Sequence, residues 1–287
     1  MIPVPAFFSD YQARVDAELR TLVPSEGEPV QRSMAYTLHA PSKRVRPVLT
    51  MLSAELCGET PAKALAAAAA TELVHAASLI LDDLPCMDDA PLRRGLPANH
   101  REFGEAVAIL AAFGLLNLAF GTISRQYEPA LASRLNRLLS EAVGTDGLIG
   151  GQALDLLATD QQISFEILER IHRGKTGALF SASATAGALT AGANADVIAA
   201  LSAFAKNLGL AFQIIDDLLD VEGNPAETGK AVRVDVKKTT FVSFSGVDGA
   251  RLLARELCQT ANGALTPFGR RADRLRELSA FVAGRNV

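Results

Sequence analysis

The sequence predicts an all-α protein that folds as a single bundle of ten or more helices over residues 1–287. Long apolar segments rich in Ala and Leu recur along the chain, as expected for buried helices. Strand signals are nearly absent, since no Asn-Gly turn joins two runs of alternating apolar and polar residues. No Ser/Gly-rich or charged linker divides the chain, so we expect one domain.

Proline and glycine mark the first predicted helices. Arg46-Pro47 is expected to open a helix over VLTMLSAEL, which Gly58 closes. Thr60 is expected to cap the next helix with its hydroxyl, and Pro61 to take its first position. A long Ala-rich helix is predicted to follow.

A charge-free run occupies residues 106–123, AVAILAAFGLLNLAFGTI, and is near the length that spans a bilayer. Ala and Gly dominate the run, and Asn117 interrupts it. We interpret this segment as a buried helix of the bundle and do not expect an integral membrane protein.

The second half of the chain continues the helical pattern. Apolar helix-forming residues with glycine breaks fill residues 163–192, and further helices are predicted over 195–222 and 251–285. The predicted turns lie at 24–29, 90–98, 143–151 and 222–235.

Composition excludes several classes of protein. A net charge of −4 and a pI of about 5.7 do not favour nucleic-acid binding, which needs a basic surface. The three cysteines lack CxxC spacing, which is typical of a reducing cytoplasm and argues against a disulfide framework or a zinc site. The N-terminus shows no signal-peptide pattern, so we expect a cytoplasmic protein.

A first acid cluster ends an apolar run in residues 79–94, LILDDLPCMDDAPLRR. It contains Asp82, Asp83, Asp88 and Asp89. Pro85 is expected to kink the helix within the cluster. The sequence therefore leaves open whether Asp88 or Asp89 shares a face with Asp82.

A second acid cluster lies in residues 212–221, FQIIDDLLDV. Asp216 and Asp220 are four residues apart and share one helix face, with Asp217 beside them. Carboxylates among apolar residues are costly unless they are solvated or neutralised. Carboxylate oxygens suit Mg²⁺, which usually takes a few protein ligands together with substrate phosphates. Two such clusters predict a magnesium–diphosphate site.

Basic residues near the predicted turns and acid clusters favour a diphosphate ligand. No glycine stands five residues before Gly174, so GKT here is not a phosphate-binding P-loop. The candidate cations are Lys43, Arg44, Arg46, Arg93, Arg94, Lys175, Lys230, Lys237 and Lys238.

Taken together, these motifs resemble the trans-isoprenyl diphosphate synthase family, over residues 31 to 245. DDLPCMDDAPLRRG and FQIIDDLLD resemble its two aspartate-rich signatures, and KRVRP, ELVH, GGQALDL, GKTGALF and TGK follow in the family's order. The first signature and the run after it are especially similar to bacterial geranylgeranyl diphosphate synthases. The resemblance implies a helical bundle around a deep central cavity, up to three Mg²⁺ ions, a homodimer, and 1′-4 condensation of isopentenyl diphosphate with dimethylallyl, geranyl or farnesyl diphosphate.

The resemblance also implies roles for individual residues. The metal ligands would be Asp82, Asp83, Asp88, Asp216, Asp217 and Asp220. The allylic diphosphate would contact Arg93, Lys175, Lys230 and Lys238, with Thr176 and Gln213 at the reacting carbons. Isopentenyl diphosphate would bind to Lys43, Arg46, His75 and Arg94. Gln152 and Asp155 would line the cavity.

Small residues below the first acid cluster predict a long product. Ala76, Ala77 and Ser78 lie about 6–9 Å below Asp82 along the helix. A bulky side chain there would stop a growing chain early, so we expect a C20 product. Farnesyl diphosphate or a longer polyprenyl product is the alternative, and close helix packing would explain the same alanines.

Rival functions fit the sequence less well. A terpene cyclase would have a more aromatic pocket and a different second metal motif. A non-catalytic subunit of a synthase heterodimer is disfavoured because both acid clusters are intact. A calcium-binding loop of the DxDxDG type is absent. Some positions depart from the family pattern: PSK precedes RVRP, and Arg233-Val234-Asp235 replaces GKD.

Overall fold

The fold is all-α, as predicted, in a computed structural model that describes residues 5–222 and 238–284. A π-helix spans Arg173–Gly177, and 3₁₀ helices span Pro61–Ala64 and Thr266–Ala272. The α-helices of the described residues are α1 (Ala6–Leu22), α2 (Pro29–His39), α3 (Val45–Leu56), α4 (Leu65–Asp82), α5 (Asn99–Phe103), α6 (Glu105–Gln126), α7 (Pro129–Val143), α8 (Leu148–Leu157), α9 (Phe165–His172), α10 (Ala178–Thr190), α11 (Ala195–Glu222), α12 (Phe241–Ala264) and α13 (Asp273–Ala283).

The core is built around α3, α4 and α10, whose residues are largely buried. Helix α4 packs between α6 and α3, and α10 packs against α3 and α11. Helix α12 runs along α11 and breaks at Gly246, which has a φ of 71°. This arrangement sets the C-terminal ends of α4 and α11, which carry the two acid clusters, in one bundle.

The predicted helix boundaries are mostly confirmed, with one difference in capping. Helix α3 starts one residue before Arg46, and α11 has the predicted bounds. The Thr60 hydroxyl caps no helix, because it faces Glu59 instead. Pro61 opens a 3₁₀ turn that leads into α4.

A two-residue hairpin lies in a segment that was predicted only as a turn. Strands β1 (Leu92–Arg93) and β2 (Leu96–Pro97) pair antiparallel, with Leu92 opposite Pro97. Arg94 and Gly95 join them with φ values of 54° and 78°, which is the left-handed geometry of a tight hairpin turn. The hairpin orients two adjacent arginines.

The prediction that residues 106–123 form a buried helix is only half right. Helix α6 buries one face, and the other leaves Leu110 and Phe113 54% and 64% exposed. Within residues 5–222 and 238–284, three helices are long and apolar enough to span a membrane, namely Pro61–Asp82, Glu105–Gln126 and Ala195–Glu222. In Pro61–Asp82 and Ala195–Glu222, at least half of the apolar stretch is buried within the bundle, against 39% in α6.

Candidate active site

The first acid cluster begins where α4 ends. The helix stops at Asp82 instead of kinking, because Pro85 follows within one turn. The backbone amide of Asp88 then donates to the Asp82 carbonyl over 2.9 Å and closes a compact turn. This turn brings the carboxylates of Asp82 and Asp88 to the same site.

The structure distinguishes the two aspartates that the sequence left open. Asp88 is half-buried and accepts a hydrogen bond from Lys238 Nζ over 2.8 Å. Asp89 has a φ of 42°, and its exposed side chain pairs with Arg101 over 3.2 Å. Asp88 therefore faces the site and Asp89 faces solvent.

Two lysines connect the first acid cluster to α8. Lys175 Nζ lies 2.8 Å from Asp155 Oδ2 and 3.7 Å from Asp82 Oδ2. Lys238 Nζ lies 3.1 Å from the same Asp155 oxygen. Together with Asp88, these four groups form a continuous network of three carboxylates and two ammonium groups.

The pKa values in this network reflect opposing effects of burial and charge. Burial would lower the pKa of Lys175, but the attraction of Asp82 and Asp155 raises it. Burial would raise the pKa of Asp155, but Lys175 and Lys238 lower it. For Asp82, burial dominates and raises the pKa. Both lysines are therefore cationic at neutral pH, as a diphosphate site requires.

Glycine makes the position of Lys175 possible. The π-helix that carries Lys175 lies directly against α8, and a Cβ atom on Gly151 would come within 2.2 Å of the Lys175 backbone nitrogen. Gly174 is equally constrained, because its Cβ would lie 2.9 Å from the Gly151 Cα. The glycines of GGQ and GKT thus let the two backbones approach until Lys175 reaches Asp155.

Asp83 pairs with an arginine of the hairpin. Its side chain is buried and forms an ion pair with Arg93, whose Nε also donates to Asp83 Oδ1 over 2.9 Å. The metal-binding role that the resemblance implies for Asp83 stays a prediction. The structure thus makes Asp83 the residue that fixes Arg93 of the hairpin beside the first acid cluster.

The second acid cluster divides in the same way. Asp216 and Asp220 are half-buried on α11, and the negative charge of Asp216 acts on Arg46. Asp217 points into the bundle, where its two oxygens accept hydrogen bonds from Gln213 Nε2 over 3.1 Å and from the Phe241 amide over 3.0 Å. Asp217 thus joins α11 to the start of α12, and its role as a metal ligand stays a prediction.

Thr176 and Gln213, the two residues expected at the reacting carbons, are in direct contact. The Thr176 hydroxyl donates to Gln213 Oε1 over 3.1 Å, and Thr176 is buried. Because the Gln213 amide nitrogen donates to Asp217, the orientation of the Gln213 side chain is fixed at both ends.

A second group of cations lies where α2, α3, α4 and the hairpin meet. Arg46 Nη1 is 3.4 Å from His75 Nε2, and the Arg46 guanidinium stacks 4.6 Å from the centre of the Phe180 ring. Arg94 Nη1 lies 3.5 Å from the Thr37 carbonyl. Three of the four residues expected at isopentenyl diphosphate are thus in one region.

The electrostatics of this region favour an anion. Burial lowers the pKa of Arg46 to about 10, and burial also lowers the pKa of Arg94. Burial and the charges of Arg46 and Arg94 hold the pKa of His75 well below its usual value, so its imidazole is neutral. A bound diphosphate would relieve the mutual repulsion of the guanidinium groups.

Glu72 and Asp16, which sequence analysis missed as functional residues, hold this region together through Arg44. Glu72 is 1% exposed and lies 2.5 Å from Arg44 Nη1 and 3.7 Å from Arg94 Nη2. Arg44 also contacts Asp16 over 2.8 Å and the Leu38 carbonyl over 2.6 Å. Glu72 stands in ELVH, three residues before His75, and an acid in a long apolar run was the available signal.

The remaining residues that were expected at the site include one exposed lysine, residues outside the described ranges, and a buried glutamine. Lys43 is exposed, and its ammonium lies 6.0 Å from the Phe281 ring centre. Lys230, Lys237 and Asp235 lie outside the described residues, so their predicted roles stay predictions. Gln152 is buried, with its Oε1 atom lacking a partner among the described residues.

The expected floor of the cavity is lined by small residues. Ala76 and Ala77 are buried, and Ser78 is half-buried with its hydroxyl bonded to the His75 carbonyl over 2.9 Å. Deeper along α4, a small apolar cavity is lined by Ala67, Ala70 and Thr71 together with residues of α6, α7 and α10.

The carboxylates fit magnesium held jointly with a ligand. Within residues 5–222 and 238–284, no three His, Cys, Asp or Glu side chains cluster closely enough to hold a metal ion. Mg²⁺ commonly takes only one or two protein carboxylates and completes its shell with water and phosphate oxygens. Asp82 and Asp88 on one side, and Asp216 and Asp220 on the other, offer that donor set.

Comparison with known proteins settles the family. The sequence model described as polyprenyl synthetase matches residues 28–251, which is more than three quarters of the chain. The chain belongs to the polyprenyl synthetase family. This polyprenyl synthetase is therefore a prenyltransferase that elongates prenyl chains head to tail.

Relatives with different products are similarly close. A chloroplastic geranylgeranyl pyrophosphate synthase of Arabidopsis thaliana is 40% identical over 97% of this chain and 82% of its own. A farnesyl diphosphate synthase of Geobacillus stearothermophilus is 40% identical over 87% of each chain. Overall similarity therefore leaves the product length of this polyprenyl synthetase undecided.

Solved structures share the fold. A geranyltransferase from Helicobacter pylori, solved in complex with magnesium and isoprenyl diphosphate, superposes with a TM-score of 0.85 at 29% identity, covering 99% of this chain and 98% of its own. The predicted helical architecture of this polyprenyl synthetase is thus confirmed.

Proposed function

We propose that this polyprenyl synthetase makes geranylgeranyl diphosphate (C20) by magnesium-dependent condensation of isopentenyl diphosphate with an allylic diphosphate. One observation carries the proposal. Two cationic regions lie in one bundle, Lys175 and Lys238 beside the first acid cluster, and Arg46 and Arg94 around His75. Two separate anion sites are what a reaction between two diphosphates requires.

The allylic diphosphate is assigned to the lysine region. Ionisation of an allylic diphosphate places negative charge on the departing group, and fixed cations stabilise that charge in the transition state. Lys175 and Lys238 are held for this purpose before substrate arrives. Magnesium bound by Asp82, Asp88, Asp216 and Asp220 would supply further positive charge to the same group.

Isopentenyl diphosphate is assigned to the arginine region. Arg46 and Arg94 would bind its diphosphate, and neutral His75 can donate a hydrogen bond without adding to the repulsion between the guanidinium groups. Thr176 of the π-helix and Gln213 of α11 are hydrogen-bonded to each other and can orient the allylic group. Buried aliphatic walls exclude water from the reacting carbons.

Small residues on α4 support the C20 product. Ala76 and Ala77 leave the face below Asp82 unobstructed by large side chains, and the apolar cavity at Ala70 lies twelve residues before Asp82, about 18 Å along the helix. A chain that grows past Ala77 would extend toward this cavity.

We also propose a cytoplasmic homodimer. The exposed face of α6, with Leu110 and Phe113, is an apolar surface of the kind that a second copy would cover. The absence of disulfides among the three cysteines supports a reducing compartment. Gel filtration with light scattering tests the dimer.

The experiment that tests the activity is direct. Purified protein is incubated with Mg²⁺, labelled isopentenyl diphosphate and dimethylallyl, geranyl or farnesyl diphosphate in turn, and the products are separated by chain length. Accumulation of C20 diphosphate is the expected result. A product that stops at C15 or continues past C20 would refute the proposed length, and no elongation from any starter would refute the activity.

A further inference from the structure

A single carboxylate oxygen on α8 holds both active-site lysines. Asp155 Oδ2 accepts hydrogen bonds from Lys175 Nζ over 2.8 Å and from Lys238 Nζ over 3.1 Å. The two lysines come from distant parts of the chain, the π-helix after α9 and the residues just before α12. Asp155 is the partner that they share among the described residues.

The contact with Asp155 reduces the repulsion between the two ammonium groups. Because both ammonium groups bind one oxygen, they lie at most about 6 Å apart, the sum of the two distances. Two cations this close repel each other strongly in a partly buried site. The charge of Asp155 offsets that repulsion and fixes the direction of both side chains.

The other carboxylates that the lysines contact are also proposed metal ligands. Lys175 also lies near Asp82, and Lys238 near Asp88, and both aspartates belong to the proposed metal site. When Asp82 and Asp88 bind magnesium, Asp155 is the carboxylate that still holds the two lysines. Asp155 itself is fixed on α8, where the contact of Gly151 with Gly174 sets its distance from Lys175.

We infer that Asp155 is a positioning residue that sets the two lysines as one binding site for the diphosphate of the allylic substrate. It acts through Lys175 and Lys238 and binds neither metal nor substrate itself. The isopentenyl diphosphate region, at Arg46 and His75, has no contact with Asp155 in the described structure.

The test is the substitution Asp155→Asn, which keeps the size and shape of the side chain and removes its negative charge. The inference rests on the proposed function, so binding of inorganic pyrophosphate without magnesium is measured by calorimetry beside the kinetics. Loss of a charge-assisted hydrogen-bonded anchor predicts a roughly 10- to 100-fold weaker pyrophosphate affinity and a similar rise in KM for the allylic diphosphate. KM for isopentenyl diphosphate is expected to stay unchanged. Asp155→Glu should recover part of the loss.

The matched control is Asp160→Asn. Asp160 is exposed on the same segment, and its φ of 59° suits asparagine. Unchanged pyrophosphate affinity in Asp155→Asn would overturn the inference even if condensation were slow. A rise in the magnesium requirement without loss of magnesium-free pyrophosphate binding would make Asp155 a metal ligand instead. An equal rise in both KM values with a lowered melting temperature would make its role structural.

Discussion

Replacing Glu72 by glutamine should destabilise the fold through Arg44. Both side chains are almost completely buried, at 1% and 2% exposure, and their nearest atoms are 2.5 Å apart. Removing one partner of a buried ion pair leaves an uncompensated charge, which costs about 3–5 kcal/mol. Asp16 and the Leu38 carbonyl still accept hydrogen bonds from Arg44, so we expect the lower end, about 3 kcal/mol.

The loss is measurable by urea unfolding followed by circular dichroism. A loss of this size should also lower the melting temperature by roughly 6–12 °C, taking about 2–4 °C per kcal/mol for a chain near this length. Glu141→Gln is the control, because the pair between Glu141 and Arg137 is exposed and 3.9 Å long, and it should leave the unfolding midpoint unchanged.

A kinetic measurement separates the effect of Glu72 on the position of Arg94 from its effect on stability. Arg94 also lies near Glu72, so KM for isopentenyl diphosphate should rise in Glu72→Gln at a temperature where the variant is folded. A change in the free energy of unfolding below about 1 kcal/mol would contradict the reasoning, since it would mean that Asp16 alone neutralises Arg44.

Three further predictions follow from the site. Ala77→Tyr should shorten the product, because the ring would block the face of α4 below Asp82. An unchanged C20 product by mass analysis would refute the idea that residue 77 limits the chain length. Asp88→Asn should lower kcat by roughly 100-fold or more, because Asp88 would help to hold the magnesium that stabilises negative charge on the departing diphosphate. Asp89→Asn should have little effect, and equal effects would show that the turn rearranges. Burial lowers the pKa of His172 to about 4. As the pH falls, the imidazole is therefore protonated in the unfolded chain at a higher pH than in the folded chain, and the free energy of unfolding should fall by about 3 kcal/mol between pH 6.5 and 4. His172→Gln should remove most of that fall, and an identical pH dependence would disprove its source.

The sequence predicted best what local chemistry decides. Helices α3 and α11 were anticipated because proline, glycine and apolar spacing act within a few residues. The two acid clusters were recognisable because charge inside an apolar run is unusual. Such signals need no knowledge of what packs against them.

Tertiary contacts decided the rest. The sequence did not show that Asp83 pairs with Arg93 or that Asp217 accepts a hydrogen bond from the Phe241 amide, because these contacts depend on how separate segments pack. The choice between Asp88 and Asp89 depended on a turn whose path no spacing rule gives. The exposed face of α6 went unrecognised because composition alone does not show whether an apolar helix is covered on one face or on all sides by its own bundle.

Burial of charge in this bundle explains how the site can bind diphosphates tightly. Moving a cation out of water is costly, and the cost is tolerable only when a carboxylate accompanies it. Here Asp155, Asp83 and Glu72 each pair with a lysine or arginine in the folded chain. The desolvation and ordering of the cations are therefore complete before a substrate arrives, and binding does not have to supply them. The paired carboxylates are thus part of the binding site, although they repel the ligand that it binds.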